Sequence, residues 1–164
     1  MMQTKTELDE IDLRILEVLQ QEGRLSNREL SERVFLSASQ CLRRTKRLEQ
    51  SGVIRGYAAL LNPGRIGLGV RAFVNVSLEK HGQDPAAAFS EAIQSWEEVL
   101  ECWAVTGEGD YLLRVAAPTL EEFSNLLMRR LLALPMVASV RSSLLLQECK
   151  HTTALPLGHL QSPR

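Results

Sequence analysis

Long hydrophobic runs are missing from this 164-residue chain. Its densest apolar stretches, residues 86–89 and 144–146, are core-sized and far short of the roughly eighteen residues a spanning helix needs. Cysteine is scarce as well. Cys41, Cys102 and Cys149 are odd in number and far apart, and no pair has metal-ligand spacing. Three buried, reduced thiols in a cytosolic protein are the expectation. His81, His151 and His159 form no zinc pattern and no acid–base pair, so no catalytic or metal-binding residue is nominated. The opening MMQTKTELDE lacks the basic-then-apolar order of a secretory signal. A large charge excess is absent too, the formal net charge being −1.

What is present is ordinary globular material, 45% apolar and 24% charged, enough for one domain or two small ones. The near-zero net charge conceals an uneven distribution. Between residues 39 and 55 stand five basic residues and a single acid, and four of the five fall within 43–47. Such a patch attracts polyanions whatever the overall balance.

Three short helices are punctuated alike at the N-terminal end. Asp9 caps the first, whose apolar stripe runs through Ile11, Ile15, Val18 and Leu19 before Gly23. Ser26 with Glu29 and Ser37 with Gln40 are capping-box pairs opening the second and third. Leu8, Leu25 and Leu36, each just before a cap, are placed to staple onto Leu13, Leu30 and Cys41. Only Phe35 and Leu36 separate the second helix from the cap of the third, which predicts a helix-turn-helix. An extended segment follows to Asn62-Pro63-Gly64, a candidate wing or hinge.

Near residue 68 the period changes to two. Val70, Ala72, Val74, Val76 and Leu78 alternate with polar residues, predicting a strand. A helix capped by Asp84 and Pro85 and running to about Trp96 comes next. Strands around 98–105 and 110–117, a long helix capped by Thr119, and a last strand near 136–148 complete the order β-α-β-β-α-β. The predicted fold class is α+β: an N-terminal winged helix-turn-helix and a C-terminal ferredoxin-like domain. The predicted divisions are 1–64, 65–150 and a tail, 151–164, with no readable pattern.

At about 100° per residue, Cys41, Thr45 and Leu48 share the inner face of the third helix. Ser39, Arg43, Lys46 and Arg47 face solvent, with Gln40 beside them and Arg44 at the apolar boundary. Polar groups near a helix start suit base edges, and cations behind them suit phosphates. Ser39, Gln40 and Arg43 are therefore the base-edge candidates, and Arg44, Lys46 and Arg47 the phosphate candidates. A second candidate site is the loop TGEGD with the residue after it. Gly107 and Gly109 permit positive φ, Asp110 is an acceptor for an ammonium group, and Thr106, Glu108 and Tyr111 add polar and aromatic partners. On residues alone, this loop is equally a hairpin turn.

Two segments carry a family resemblance. LDEIDLRILEVLQQEGRLSNRELSERVFLSASQCLRRTKRLEQSGVIRGYAALLNP resembles the winged helix-turn-helix of the leucine-responsive regulatory protein/AsnC family of bacterial and archaeal transcription regulators. VTGEGDYLLRV is similar to the signature loop of that family's effector (RAM) domain. The resemblance implies a sequence-specific regulator of double-stranded DNA, cytoplasmic and nucleoid-associated. It implies dimers formed through the C-terminal domains and assembled into an octamer, with no cofactor beyond a small amino-acid effector bound near Gly107–Asp110. Leucine or methionine is preferred, because Glu108 and Asp110 are the only strong charges nearby. Thr45 departs from the family, which usually has an aliphatic residue there; its hydroxyl is expected to bond back to the helix. Two alternatives stand beside this reading. One is a haem-biosynthesis decarboxylase of the same architecture, and the other is an amino-acid sensor acting through protein partners.

Overall fold

The computed structural model describes residues 7–79 and 84–160, so His81 lies outside it. The chain divides into two compact units, Met1–Leu60 with Lys150–Arg164, and Leu61–Cys149.

The first unit is built on α1 (Glu10–Gln21), α2 (Asn27–Val34) and α3 (Ala38–Gln50). All three open with reciprocal capping boxes, Asp9 with Asp12, Ser26 with Glu29 and Ser37 with Gln40. Each box satisfies backbone donors that a helix start otherwise leaves unpaired. Ile15, Leu16, Leu30, Val34, Cys41 and Leu48 form the core, and Leu8, Leu25 and Leu36 pack against it. Burial of each fully enclosed leucine or isoleucine contributes about 1.5–3 kcal/mol. The turn between α2 and α3 runs through Phe35, which caps α2 in the left-handed region at φ 57° and is 85% exposed. Residues 55–62 adopt neither helix nor strand in this chain.

The tail also belongs to this unit. Gln20 on α1 exchanges two hydrogen bonds with the Leu155 backbone, its Nε2 donating at 3.2 Å and its Oε1 accepting at 2.6 Å. Leu157 packs against the three-helix core.

The second unit has the element order read from its periodicity: β1 (Val70–Leu78), α4 (Pro85–Ile93), β2 (Val99–Ala104), β3 (Tyr111–Ala117), α5 (Leu120–Asn125) and β4 (Val137–Leu144). The sheet order is β2-β3-β1-β4, with every neighbouring pair antiparallel. This is the split arrangement in which both helices pack on one face. Ala72, Val74, Val76, Leu113, Val115 and Ala117 meet Phe89, Ile93, Phe123, Leu126 and Leu131 in the core. Two helices differ from expectation. α4 ends at Ile93 rather than near Trp96. α5 gives way after Asn125 to a π-helical turn, Leu126–Leu131, where the Leu132 N–H donates to the Leu127 carbonyl at 2.9 Å. In a continuous α-helix, Leu131 would lie about 140° around from Leu126. The wider i→i+5 turn brings both into the core, at 1% and 4% exposure.

The cysteine expectation is corrected. Cys41 is buried, but Cys102 and Cys149 are exposed. Cys102 lies on β2, an edge strand of the sheet, and Cys149 follows β4 in an exposed segment.

Candidate functional site

The Ser37 box fixes where α3 begins, and Cys41, Thr45 and Leu48 fix which side faces inward. Ser39, Gln40, Arg43, Lys46 and Arg47 are exposed, and Arg44 is half-buried. Gln40 has part of its amide committed, since its Oε1 accepts from the Ser37 hydroxyl at 3.0 Å and from the Ser37 N–H at 3.3 Å. Its amide NH2 is left for a partner. Ser39 Oγ lies 3.2 Å from Ser37 Oγ.

The cations of α3 divide into two kinds. Arg44 donates through Nη1 to Asp9 at 2.7 Å and to Asp12 at 2.9 Å, while Arg47 donates through Nη2 to the other Asp12 oxygen. Asp12 is fully buried, a position the apolar periodicity of α1 gives no reason to expect. Its carboxylate also accepts the Asp9 N–H at 3.1 Å, so each of its oxygens is satisfied. Partial burial works to raise the Asp9 carboxyl, but the Asp12 N–H and the Arg44 guanidinium outweigh it and hold Asp9 below its usual value. Arg43 and Lys46 lie on the open side of the helix, outside this network.

Thr45 corrects a second expectation. Its side chain is buried at 7% exposure, and its hydroxyl finds no partner in the helix backbone; it turns to the Cys41 thiol one turn earlier, a weak acceptor. A thiol offsets only part of the cost of burying that hydroxyl.

In the second unit, Thr106, Glu108 and Gly109 line a recess of about 410 Å³ together with Asn75, Ser139 and Arg141. Arg141 Nη1 donates to Glu108 Oε2 at 2.7 Å across this polar lining, and both side chains are highly exposed. Gly107 adopts φ +120°, which a residue with a Cβ reaches only under strain. Gly109 does not use positive φ; a Cβ there would lie 3.4 Å from the Val76 carbonyl oxygen. Asp110 is turned to backbone work. Its Oδ2 accepts the Leu78 N–H at 2.7 Å, and its own N–H donates to Val76 at 2.9 Å, tying the loop to β1. Tyr111 points to the helical side of the sheet and packs on Phe89, ring centroids 4.9 Å apart. Neither Asp110 nor Tyr111 is among the recess walls. A larger groove of about 730 Å³ involves Leu100, Pro118 and Leu126, and contains none of the residues predicted to bind a ligand.

Comparison with known proteins gives this geometry its context. Residues 8–55 match a winged helix-turn-helix DNA-binding model, and residues 71–155 match the Lrp/AsnC ligand-binding domain. The chain belongs to the Lrp/AsnC family. Leucine-responsive regulatory proteins of Klebsiella pneumoniae and Rhizobium meliloti are 42% and 43% identical to it over 149 residues, which is 91% of this chain and 91% and 96% of theirs. A transcriptional regulator from Neisseria meningitidis, solved in complex with L-methionine, superposes with a TM-score of 0.91 at 49% identity, over 94% of this chain and 99% of that one. An AsnC family regulator from Agrobacterium tumefaciens gives a TM-score of 0.87 at 32% identity, over 94% and 100%.

This Lrp/AsnC protein is therefore a DNA-binding transcription regulator with a ligand-binding domain, as its sequence resemblance implied. These relatives are regulators, and nothing in them supports the decarboxylase alternative. Among the described residues, no group of three His, Cys, Asp or Glu is placed to hold a metal ion. Sequence reasoning missed Arg141 of the recess and, in the first unit, Asp12. Its spacing from Asp9 marks a capping box, but a local signal cannot reveal two arginines arriving from 32 and 35 positions further along the chain.

Proposed function

We propose that this Lrp/AsnC regulator works in the cytoplasm, associated with the nucleoid, and that its assembly or DNA affinity responds to a small α-amino acid. Residues 1–64 read DNA, 65–150 bind the effector and pair the subunits into dimers and then octamers, and 151–164 form the tail. Ser39, Gln40 and Arg43 address base edges, while Lys46 and Arg47 address phosphates. Arg44 is removed from that role, because both of its nearby acids already hold it.

One observation carries the effector reading: the Glu108–Arg141 pair spans a polar recess at the signature loop. A zwitterion fits such a pair by division, its carboxylate taking Arg141 and its ammonium taking Glu108. The likeness to a methionine-bound relative supports an apolar side chain, leucine or methionine, whose tail needs an apolar wall from a second copy.

A thermal-shift screen of the twenty amino acids tests this directly. At about a hundredfold excess over Kd, a selective ligand raises Tm by roughly 5–10 °C. Leucine or methionine should do so with wild type and fail with Arg141→Ala. A screen in which no amino acid shifts Tm would remove the effector assignment.

A further inference from the structure

Buried carboxylates are costly, and an ion pair enclosed in protein often adds less stability than apolar packing of the same volume. Asp12 is enclosed completely, and both of its arginine partners come from the helix that reads DNA. The two arginines are used differently. Arg44, with a side chain 21% exposed, spends its Nη1 on two carboxylates, whereas Arg47, 50% exposed, spends only Nη2 and keeps the rest of its fork in solvent.

We infer that Asp12 is a positioning residue for DNA recognition, fixing α3 to α1 through Arg44 and holding Arg47 with its free edge aimed at a phosphate. The inference rests on the regulator reading above. A guanidinium held from behind loses little side-chain freedom when it meets a phosphate. The same carboxylate also screens the helix's positive charge, which restrains binding to any duplex regardless of sequence. Asp12 therefore favours the specific complex and disfavours the non-specific one.

Asp12→Asn separates the two effects. Freeing one cationic charge should tighten non-specific binding about fivefold at 0.15 M salt, because each phosphate neutralised changes the log–log salt slope by about 0.9. Losing the held pose of Arg47 should weaken the specific complex. The measurement compares a duplex enriched from a randomised pool by the wild-type protein with a scrambled duplex of equal length, each across a salt series. The ratio of the two affinities should fall about tenfold or more. A merely structural Asp12 would lower both affinities together, in step with the folded fraction, and that result would overturn the inference. If Asp12→Asn does not fold, Arg47→Lys decides, because it keeps a cation beside the buried carboxylate but has no fork with which to hold that carboxylate and a phosphate at once. It should reduce the specific salt slope by about one unit, and an unchanged slope would equally overturn the inference. A wild-type protein showing no salt-dependent duplex binding would instead sink the regulator reading, and this inference with it.

Discussion

Thr45 is a residue whose side chain the fold has not fully used. Its methyl is shared with the inner face of α3, but its buried hydroxyl has only the weak Cys41 thiol to turn to. Valine has the same shape and no polar atom to strand. Thr45→Val should therefore stabilise the first unit by about 1–2 kcal/mol, seen as a higher urea midpoint at unchanged m. A lower midpoint would mean that the contact with the Cys41 thiol outweighs the cost of burying the hydroxyl. The sequence marks Thr45 as inward-facing, because helical period places it with Cys41 and Leu48. It could not show the fate of the hydroxyl, which depends on which acceptors the packed neighbours leave in reach. Asp12 teaches the same lesson with the opposite sign, since a polar residue on the buried side becomes tolerable only when partners from a distant helix arrive.

Elements were legible wherever a local rule governs them. The Asp9 cap and two capping pairs located the starts of α1, α2 and α3, and period-two alternation located β1. The π-helical turn was not legible, because it follows from the position of the sheet against which Leu126 and Leu131 must both pack. The tail was illegible for a related reason. With Pro156 between Leu155 and Leu157 it has no period, and its packing is set by a helix some 135 positions earlier, where Gln20 brackets Leu155. That contact has a measurable consequence. Truncation after Cys149 removes Leu157 from the core edge and leaves the Gln20 amide to water. The first unit should lose about 1–3 kcal/mol, with amide exchange accelerating in α1 and little change in β1 and β3. Equal protection in the truncated and full chains would show that the tail contributes nothing.

At the scale of the whole molecule, the sheet of the second unit has one covered face and one open face. Register places Phe73, Arg114 and Glu101 in one row of the open side and Asn75, Leu112 and Trp103 in the next. Trp103 is 61% exposed and Phe73 37%, a large aromatic surface for an isolated chain. The recess that holds Glu108 and Arg141 opens on this same face, beside Asn75 and Ser139. A second copy seated on the face would bury the aromatics and could also complete the wall that an apolar effector needs. Assembly and effector binding should then fail together. In Phe73→Asp/Trp103→Asp, an aspartate at each anchor costs about 2 kcal/mol or more. A two-fold interface carries both losses on each partner, so together they come to roughly 8 kcal/mol, about a millionfold in the dimer Kd. Sedimentation at micromolar concentration should show the smaller species, and the leucine or methionine shift in Tm should vanish with it. Retention of that shift by a dissociated double variant would place the whole effector site within one chain.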